Sequence, residues 1–392
     1  MLRKPQAVQS AAPGLPRSTR LLPVVVAWQV VIVAAALLIA QQAVWAYAVA
    51  ALLVLVALLL TIPVNGRTLW ATLGIRRDFG RRARARVEEP DVAADLVPLA
   101  QWLPQLEVTQ IKDAHDAEIG VVADGESWSG ILEVTSDNVL FTDRGAQLDL
   151  GSLGALSRQD DVLFAGIQVV TLTVPAPSGA LLPGNSPGLV SYREIAGDAT
   201  PPALRRTWIA LRLDPRLCLE AVARRGVGQA GVFATLRFGL HRAQAMLKRQ
   251  GMLTEPLDPL GIADVLALTS GAAPDHGEAR TREEWDHWVC DSLTHSARSI
   301  TSFGPSPSAS YQRLLDVANA SPSMMTLTSL TVSPGQPPRG ALRLVSPSTE
   351  QAEEADRAVV SALQGVVRVG PRGGVQVPGM LATIPLGRQV DQ

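Results

Sequence analysis

Hydrophobic and polar positions are distributed very unevenly along this chain. From Leu21 to Gly66 there is no charged residue in 46 positions, and an arginine stands directly on either side of this run. As one straight helix the run would be about 69 Å long, roughly twice the thickness of a bilayer hydrocarbon core. The only polar break near its middle is the pair Gln41-Gln42. We therefore predict a transmembrane helical hairpin with spans at 21–40 and 43–62.

Both flanks of the predicted hairpin are basic. Residues 1–20 carry four basic residues and no acid, and residues 67–86 carry seven arginines and one aspartate. Basic flanks stay on the cytoplasmic side, so both termini and the soluble part are expected there. A cleaved signal peptide also begins with a basic segment and an apolar run, but a second apolar span of equal length would stop export.

Several residues in and beside the spans are candidates for the membrane interface and for assembly. An amide inside a span is costly to leave unpaired, tryptophan and tyrosine anchor helices at the interface, and arginines bind anionic lipid headgroups. Alanine is frequent in both spans, where it allows close helix packing, and we expect the two helices to pack on each other. The candidates are Gln29, Trp45, Tyr47, Trp70, Arg76, Arg77, Arg81 and Arg82.

The remaining residues alternate between strand and helix patterns, which predicts an α+β cytosolic domain. Predicted strands lie at 119–123, 130–135, 166–174, 207–213, 299–303, 325–332, 341–345 and 366–369. Predicted helices lie at 231–249 and 348–364, with shorter ones near 150–157, 216–224, 259–269 and 309–319. Residues 175–204 and 270–283 have the Pro, Gly and small polar composition of loops. We divide the chain into a basic tail (1–20), the hairpin (21–62), a basic juxtamembrane helix (63–90), a first lobe (91–290) and a second lobe (291–392).

The two lobes are candidates for an internal duplication. Each contains a strand, a helix, two strands and a helix, in that order. Residues 172–175 resemble 330–334, and residues 210–215 resemble 341–347. Short similarities of common residues also arise by chance, so the duplication is a hypothesis.

Charge and cysteine content limit the functional classes. Of the chain's 35 basic and 36 acidic residues, 11 basic and one acidic lie in residues 1–86, which leaves a net charge of −11 for the rest. An acidic body disfavours nucleic acid as a partner. The two cysteines, Cys218 and Cys290, are 72 positions apart, which fits a reducing compartment and no disulfide framework.

The chain lacks the common catalytic motifs. Gly226-Val227-Gly228-Gln229-Ala230-Gly231 has the spacing of a dinucleotide fingerprint, but the segment before it has a helical pattern where that fingerprint requires a strand. We expect a glycine turn between two helices. There is no Walker A motif, no serine nucleophile elbow, and no metal-ligand spacing among the five histidines, including His287 and His295 near Glu283 and Glu284. No cofactor, metal or small-molecule substrate is expected.

Two remaining features keep alternatives open. Asp160-Asp161 beside strands is compatible with a metal-dependent, membrane-anchored glycosyltransferase, although one acidic dyad is a weak signal. Trp285 and Trp288 would share a face if they lay on a helix. We favour a core position for this pair over a docking surface.

Taken together, these segments resemble EccE, a membrane component of the type VII (ESX) secretion systems of actinobacteria. The resemblance is carried by the hairpin, Arg76-Arg77-Asp78-Phe79-Gly80-Arg81-Arg82, residues 119–122 with 127–132, residues 207–215, and Trp285-Asp286-His287-Trp288 followed by His295. Relatives often continue from the late histidine with threonine and an aromatic residue, whereas this chain has Ser296-Ala297, so no role is assigned to His295.

The resemblance implies a non-catalytic structural subunit at the periphery of a bacterial inner-membrane complex. Family members assemble with EccB, EccC and EccD, and EccC supplies the ATPase activity. The competing hypotheses are the glycosyltransferase and a lipid-binding anchor built on residues 63–90.

Overall fold

The structure is a computed structural model that describes residues 17–64, 66–113, 116–135, 149–159, 161–175, 186–196, 203–273 and 280–390. The chain forms two compact units, Met1–Ile75 and Arg76–Gln392, which are described in turn. Residues 1–16 of the predicted basic tail, Asp160, His115, His276 and most of the predicted loop 175–204 lie outside the described residues.

The first unit contains two successive helices that contact each other. They are α1 (Arg17–Ala40) and α2 (Val44–Thr61), followed by the short strands β1 (Pro63–Val64) and β2 (Arg67–Thr68). Gln42, in the turn between the helices, has a φ of 53°. The helices are interrupted where the glutamine pair predicted a break. Among the described residues, α2 alone is long and apolar enough to cross a membrane, and Val25–Ala40 is a shorter apolar stretch.

The helix that carries the arginines is shorter than predicted. Helix α3 spans Leu69–Ala85, whereas the prediction was 63–90. Its beginning is delayed because residues 63–68 form the β1–β2 pair, with Pro63 opposite Thr68.

The second unit supplies the remaining elements. Its helices are α4 (Val97–Ala100), α5 (Leu150–Leu156), α6 (Pro187–Ala196), α7 (Leu219–Arg225), α8 (Gln229–Arg249), α9 (Pro259–Ser270), α10 (Pro307–Asn319), α11 (Thr349–Ala362) and α12 (Gln376–Leu381). Its strands are β3 (Glu107–Lys112), β4 (Glu118–Ala123), β5 (Trp128–Thr135), β6 (Arg158–Gln159), β7 (Val162–Leu163), β8 (Gly166–Val174), β9 (Leu204–Leu213), β10 (Leu253–Pro256), β11 (Thr281–Glu283), β12 (Trp288–Cys290), β13 (Leu293–Ser302), β14 (Met325–Val332), β15 (Arg339–Ser346) and β16 (Arg368–Val369).

One large antiparallel sheet dominates this unit and confirms the predicted α+β class. Its 12 strands follow the order β11-β12-β13-β15-β14-β8-β9-β5-β4-β3, and β10 and β16 pair in addition with β5 and β13. The central pair, β14 and β8, joins the two predicted lobes through a register that places Thr328 opposite Thr171. The two lobes therefore share one sheet.

Helices cover both faces of the sheet, so its strands are buried on both sides. On one face Leu153 of α5, Leu240 of α8 and Leu314 of α10 belong to the larger hydrophobic cluster. On the other face Ile262 of α9 and Met380 of α12 belong to the second cluster. Both faces of β8 and β14 are covered in this three-layer arrangement, which explains why neither strand carries a charged residue.

The two halves of the sheet are tied together by segments that cross from one to the other. The Arg343 guanidinium on β15 donates to the Thr269 carbonyl at the end of α9. In the opposite direction, the Leu386 carbonyl after α12 accepts from the Ser129 hydroxyl at 2.9 Å and from Arg212 at 3.1 Å. These ties account for one compact unit from Arg76 onward.

Some element predictions were wrong. Helix α6 lies inside the predicted loop 175–204, and β11 begins inside the predicted loop 270–283. Strand β13 begins at Leu293 and not at Ser299, because its first half is mostly polar and contains no hydrophobic run from which a strand would be predicted. A Cβ atom on Gly379 of α12 would lie 2.5 Å from Ala297 Cβ, so α12 approaches this half of the strand closely.

Candidate assembly surface

The arginines of α3 fall on two different sides of the helix. Arg82 is half-buried and faces the sheet, whereas Arg77, Arg81 and Arg84 are exposed. Exposed Arg81 pairs with Asp78 on its own helix. Among the predicted arginine candidates, Arg82 is thus bound by side chains of the second unit, whereas Arg77 and Arg81 face outward.

Arg82 is bound by a buried carboxylate. Its Nε and Nη2 atoms lie 3.0 and 2.9 Å from the two oxygens of Glu283, whose side chain is 1% exposed. Arg82 Nη2 also donates to the Gly374 carbonyl at 2.7 Å. Such a two-pronged pair fits the planar guanidinium and fixes its orientation, which a lysine could not do.

Glu283 has a second role at the same time. Its Oε1 accepts the backbone N–H of Val377 at 3.0 Å, in the first turn of α12. The partial positive charge of a helix N-terminus favours a carboxylate there. One side chain therefore connects α3, strand β11 and α12.

Trp285 forms an apolar seat next to this ion pair. Its ring meets Phe79 edge to face, with centroids 5.6 Å apart, and the Arg76 guanidinium lies 5.7 Å from the indole centroid. Its carbonyl accepts from the Gly374 N–H at 2.6 Å, and an added Cβ on Gly373 would lie 2.6 Å from its Nε1. Contacts of this kind contribute roughly 0.5–1.5 kcal/mol each, so the seat supports the Arg82 pair.

The edge strand beside this seat is covered. Arg86 donates to the Thr281 carbonyl of β11. The Thr281 hydroxyl accepts from Trp102 Nε1 at 2.9 Å and lies 2.5 Å from Gln101 Oε1. An uncovered edge would invite pairing with another chain, and these groups occupy it here.

The tryptophan pair is not on a helix. Trp285 lies in the turn between β11 and β12, and Trp288 lies on β12. Trp288 is fully buried in the second cluster, which confirms the expected core position for that residue. Trp285 is half-buried and supports α3, so the two indoles have different roles.

The candidates of the first unit lie on its outside. Gln29 is exposed, and Trp45, Tyr47 and Trp70 are 59%, 48% and 55% exposed. Their interfacial role stays a prediction.

Of the acidic dyad, the structure describes Asp161, which two arginines bind. Asp161 accepts from Arg225 at 2.8 and 2.9 Å and from Arg224 at 2.8 Å, and these hydrogen bonds lower the pKa of its carboxyl. Across the described residues there is no group of three or more His, Cys, Asp or Glu placed to hold a metal ion. A carboxylate held by two arginines is a poor starting point for metal-dependent glycosyl transfer.

The glycine motif forms the expected turn. Helix α7 ends at Arg225 and α8 begins at Gln229, so a helix precedes the glycines. A Cβ on Gly231 would lie 2.5 Å from the Val222 carbonyl oxygen, which shows how closely the two helices approach. Close packing accounts for this glycine without a nucleotide.

The two late histidines are core residues. His295 is fully buried, and burial lowers the pKa of its imidazole well below the ordinary value. Burial also lowers the pKa of His287. The His295 ring lies 4.6 Å from the Trp288 ring, centroid to centroid. Both histidines are therefore neutral packing elements near pH 7.

Sequence reasoning missed a fully buried arginine. Arg343 is 0% exposed, and burial lowers its pKa to about 9. Its guanidinium carbon lies 5.9 Å from the Trp288 ring centroid, and it donates to the last turn of α9, where a cation is favoured. Its burial could have been predicted from the sequence. The predicted strand 341–345 has Arg343 at its centre, and a strand that is covered on both faces buries its central residue.

Part of the chain, including residues that bind α3, matches a known protein family. Residues 201–299 match the family described as "Putative type VII ESX secretion system translocon, EccE". The resemblance to EccE is confirmed. The EccE match includes Glu283, Trp285 and Trp288, and it ends before α10. No curated protein matches the chain.

Proposed function

We propose that this chain is a non-catalytic structural subunit of a type VII (ESX) secretion membrane complex. The observation that supports it best is that the EccE match covers the residues that bind the juxtamembrane helix, Glu283 and Trp285. This region contains an attachment device of ion pairs and aromatic contacts. Its charged groups bind each other and helix ends, which supports a structural role.

The proposed topology is two-pass in the bacterial inner membrane, with both termini and the soluble domain cytoplasmic. The apolar lengths of α1 and α2 and the basic residues on both sides of them support it. Among the described side chains of the two helices, the fully buried ones are all small, namely Ala35, Ala46 and Ala50. Small residues at a helix contact are typical of packing in lipid.

The proposed partners are EccB, EccC, EccD and anionic lipid headgroups. Arg77, Arg81 and Arg84 remain exposed while Arg82 is held, so they are the arginines available to either partner. Near an anionic surface each such arginine contributes about 1 kcal/mol to binding. Replacing these three by glutamine in the full chain should weaken its recovery with phosphatidylglycerol vesicles at low salt.

We also propose that the second unit arose by internal duplication. The order β3-β4-β5-α5-β8-β9-α8-β10-α9 has the same succession of elements as β11-β12-β13-α10-β14-β15-α11-β16-α12, with α6, α7, β6 and β7 as additions in the first half. The strand order in the sheet also matches. From one edge to the centre it is β3-β4-β5-β9-β8, and from the other edge it is β11-β12-β13-β15-β14, so corresponding strands occupy corresponding places. With this matching of elements, we place the boundary between the two lobes between the end of α9 and the start of β11, within 271–280, and no longer at 290/291. Failure of β5, β8 and β9 to superpose on β13, β14 and β15 would remove the proposal.

One of the short sequence similarities does not support the duplication. Leu172 packs in the second hydrophobic cluster, whereas Leu330 packs in the first, on the other face of the sheet. A two-fold relation about an axis normal to the sheet keeps each residue on its own face, so these leucines are not equivalent. The topology is the better argument.

The assembly role is tested by affinity purification of the tagged full chain from membranes in mild detergent. EccB, EccC and EccD should co-purify with it in fixed proportion. Recovery of the chain as a free monomer, under conditions in which EccB, EccC and EccD co-purify with one another, would count against the proposed function.

A further inference from the structure

Helices α7 and α8 form a basic region within an acidic body. The 34 residues from Ala221 to Thr254 carry six basic residues and no aspartate or glutamate, whereas residues 87–392 as a whole have a net charge of −11. A helix C-terminus favours cations, but two of the six lie in the middle of α8, where the helix dipole gives no such preference. The six are Arg224, Arg225, Arg237, Arg242, Lys248 and Arg249.

Contacts within this region orient part of its charge. Two guanidinium groups stack on Phe238 of α8, with Arg225 at 5.0 Å and Arg242 at 5.4 Å from the ring centroid. Asp161 also binds Arg225, together with Arg224, and offsets one positive charge. The region nevertheless keeps a net positive charge at its surface. Its exposed basic side chains are Arg224, Arg242, Lys248 and Arg249.

Apolar side chains are exposed beside these charges. Val227 is 94% exposed in the turn between α7 and α8, where Gly226 and Gly228 flank it. Leu219, at the start of α7, is 65% exposed. Exposed apolar side chains next to cations are typical of segments that lie at the headgroup level of a bilayer. An acidic protein would be attracted by the charge alone, whereas the exposed valine adds a preference for lipid.

The counterpart of α8 in the proposed duplication has the opposite charge. Helix α11 packs on the same face of the sheet as α8, because Ala355 and Leu240 belong to the same hydrophobic cluster. Its exposed charged residues are three glutamates and one arginine, namely Glu350, Glu353, Glu354 and Arg357. The fold therefore does not require a basic helix at this place, and the charge of α8 distinguishes one end of the sheet from the other.

We propose that the exposed basic and apolar side chains of α7 and α8 bind the anionic headgroups of a lipid bilayer. The cations bind headgroup phosphates, and the valine of the turn enters the headgroup region. This contact is separate from the exposed arginines of α3, and it rests on the proposed function in that the second unit is cytosolic and close to the membrane. The α7–α8 surface consists of Leu219, Arg224, Val227, Arg242, Lys248 and Arg249.

Lipid-borne quenchers test this contact in the full chain reconstituted in vesicles. A fluorophore on Val227→Cys reports the surface, and the native Cys218 and Cys290 are buried and remain in place. Spin-labelled lipid in phosphatidylglycerol vesicles should quench it about threefold more than the same quencher in phosphatidylcholine vesicles. Leu260→Cys is the matched control, because Leu260 is 76% exposed on α9, a helix without basic residues on the other face of the sheet. Its label should be quenched little in either lipid.

The role of the charge is tested in the Val227→Cys background. Arg242→Gln with Arg249→Gln removes two exposed charges from the α7–α8 surface and should lower quenching in anionic vesicles about fivefold, as high salt should also do. Arg357→Gln with Arg368→Gln removes two exposed arginines from the other half of the sheet and should leave quenching unchanged. An equal loss in both double variants would show that net charge, and not this surface, controls the contact, and would overturn the inference.

The remaining outcomes separate this inference from the proposed function. Three results would overturn the lipid contact: no lipid quenching at Val227→Cys, equal quenching at Leu260→Cys, or shielding of the Val227→Cys label only in the presence of EccB, EccC or EccD. Co-purification of the chain with these subunits would still support the proposed function in each case. Charge-dependent lipid quenching in a chain that is recovered only as a free monomer would support the lipid contact and count against the assembly role.

Discussion

A buried carboxylate lies near each end of the large sheet, and the two carboxylates bind different parts of the chain. Asp124, between β4 and β5, binds Arg212 of β9 at 2.5 Å and Arg388 of the C-terminal segment at 2.7 Å. Glu283, at the end of β11, binds Arg82 of α3 and the first turn of α12. The first carboxylate closes the fold on its own tail. The second attaches the helix that leads from the N-terminal unit.

The arginines of the two pairs differ in burial, although both carboxylates are almost fully buried. Asp124 and Arg212 are 3% and 12% exposed, whereas Arg82 opposite Glu283 is 24% exposed. Breaking a more deeply buried pair leaves a charge with less water to solvate it. The comparison therefore predicts that damage at Asp124 affects the whole domain, and that damage at Glu283 affects mainly α3.

Asp124→Ala should have the largest effect. It leaves Arg212 and Arg388 facing each other without an anion, which should lower the free energy of unfolding by about 3–5 kcal/mol. Chemical denaturation of the full chain in detergent, followed by tryptophan fluorescence, measures it. Asp116→Asn is the control, because Asp116 has a φ of 60°, which asparagine also tolerates, and its 88% exposed carboxylate pairs with exposed Lys112, so that its loss should cost almost nothing. A loss at Asp124 no greater than at Asp116 would show that the cluster does not hold the fold.

Glu283→Ala should have a smaller and more local effect. It removes the acceptor of Arg82 and of the Val377 N–H, which we expect to cost about 2 kcal/mol. Hydrogen exchange should then accelerate in residues 79–86 and at the start of α12, while the β5 and β9 amides stay protected. Glu284→Ala removes a neighbouring carboxylate that pairs only with exposed Arg282, and it should leave this exchange unchanged. Uniform acceleration throughout the sheet would contradict a local attachment role.

Acid should weaken the Asp124 end gradually. Burial alone would raise the carboxyl pKa of Asp124, but Arg388 and Arg212 outweigh it and hold that pKa below the ordinary value of 3.8. A group with a lowered pKa in the folded state stabilises fully above its unfolded pKa and loses that contribution as the pH falls through the folded value. The stability difference between the wild type and Asp124→Asn should therefore be constant from pH 7 to about 5 and shrink below about pH 4. A difference that grew on acidification would contradict the assignment.

The elements that sequence reasoning predicted well are those whose pattern is local. Strands β8 and β14 were predicted with the bounds that the structure has, because both are long runs of alternating and β-branched residues. The break between α1 and α2 was visible as a polar pair in an apolar stretch. Helix α8 was predicted to begin two residues late, after the glycine turn.

The residues that form the assembly surface could not be located in the same way. Glu283, Trp285 and Gly374 are separated from Arg82 by about two hundred residues or more, and only the order of strands in the sheet brings them together. The arginine-rich sequence predicted a basic surface, but it did not show which arginine is held. Arg82 is held because the Glu283 carboxylate is buried. Glu283 lies in the β11–β12 hairpin, and the charged sequence around it is typical of an exposed loop, so its burial could not be predicted.

The smallest predicted effect separates two neighbouring arginines of α3. Arg82→Lys keeps the charge but loses the two-pronged contact with Glu283 and the donation to Gly374, so it should cost about 1 kcal/mol and accelerate exchange in residues 79–86. Arg81→Lys changes an exposed pair with Asp78 and should cost less than about 0.5 kcal/mol. Both variants preserve the net charge, so recovery with anionic vesicles should change little in either. If Arg81→Lys loosened α3 as much as Arg82→Lys, the general basicity of the helix, and not one buried contact, would hold it in place.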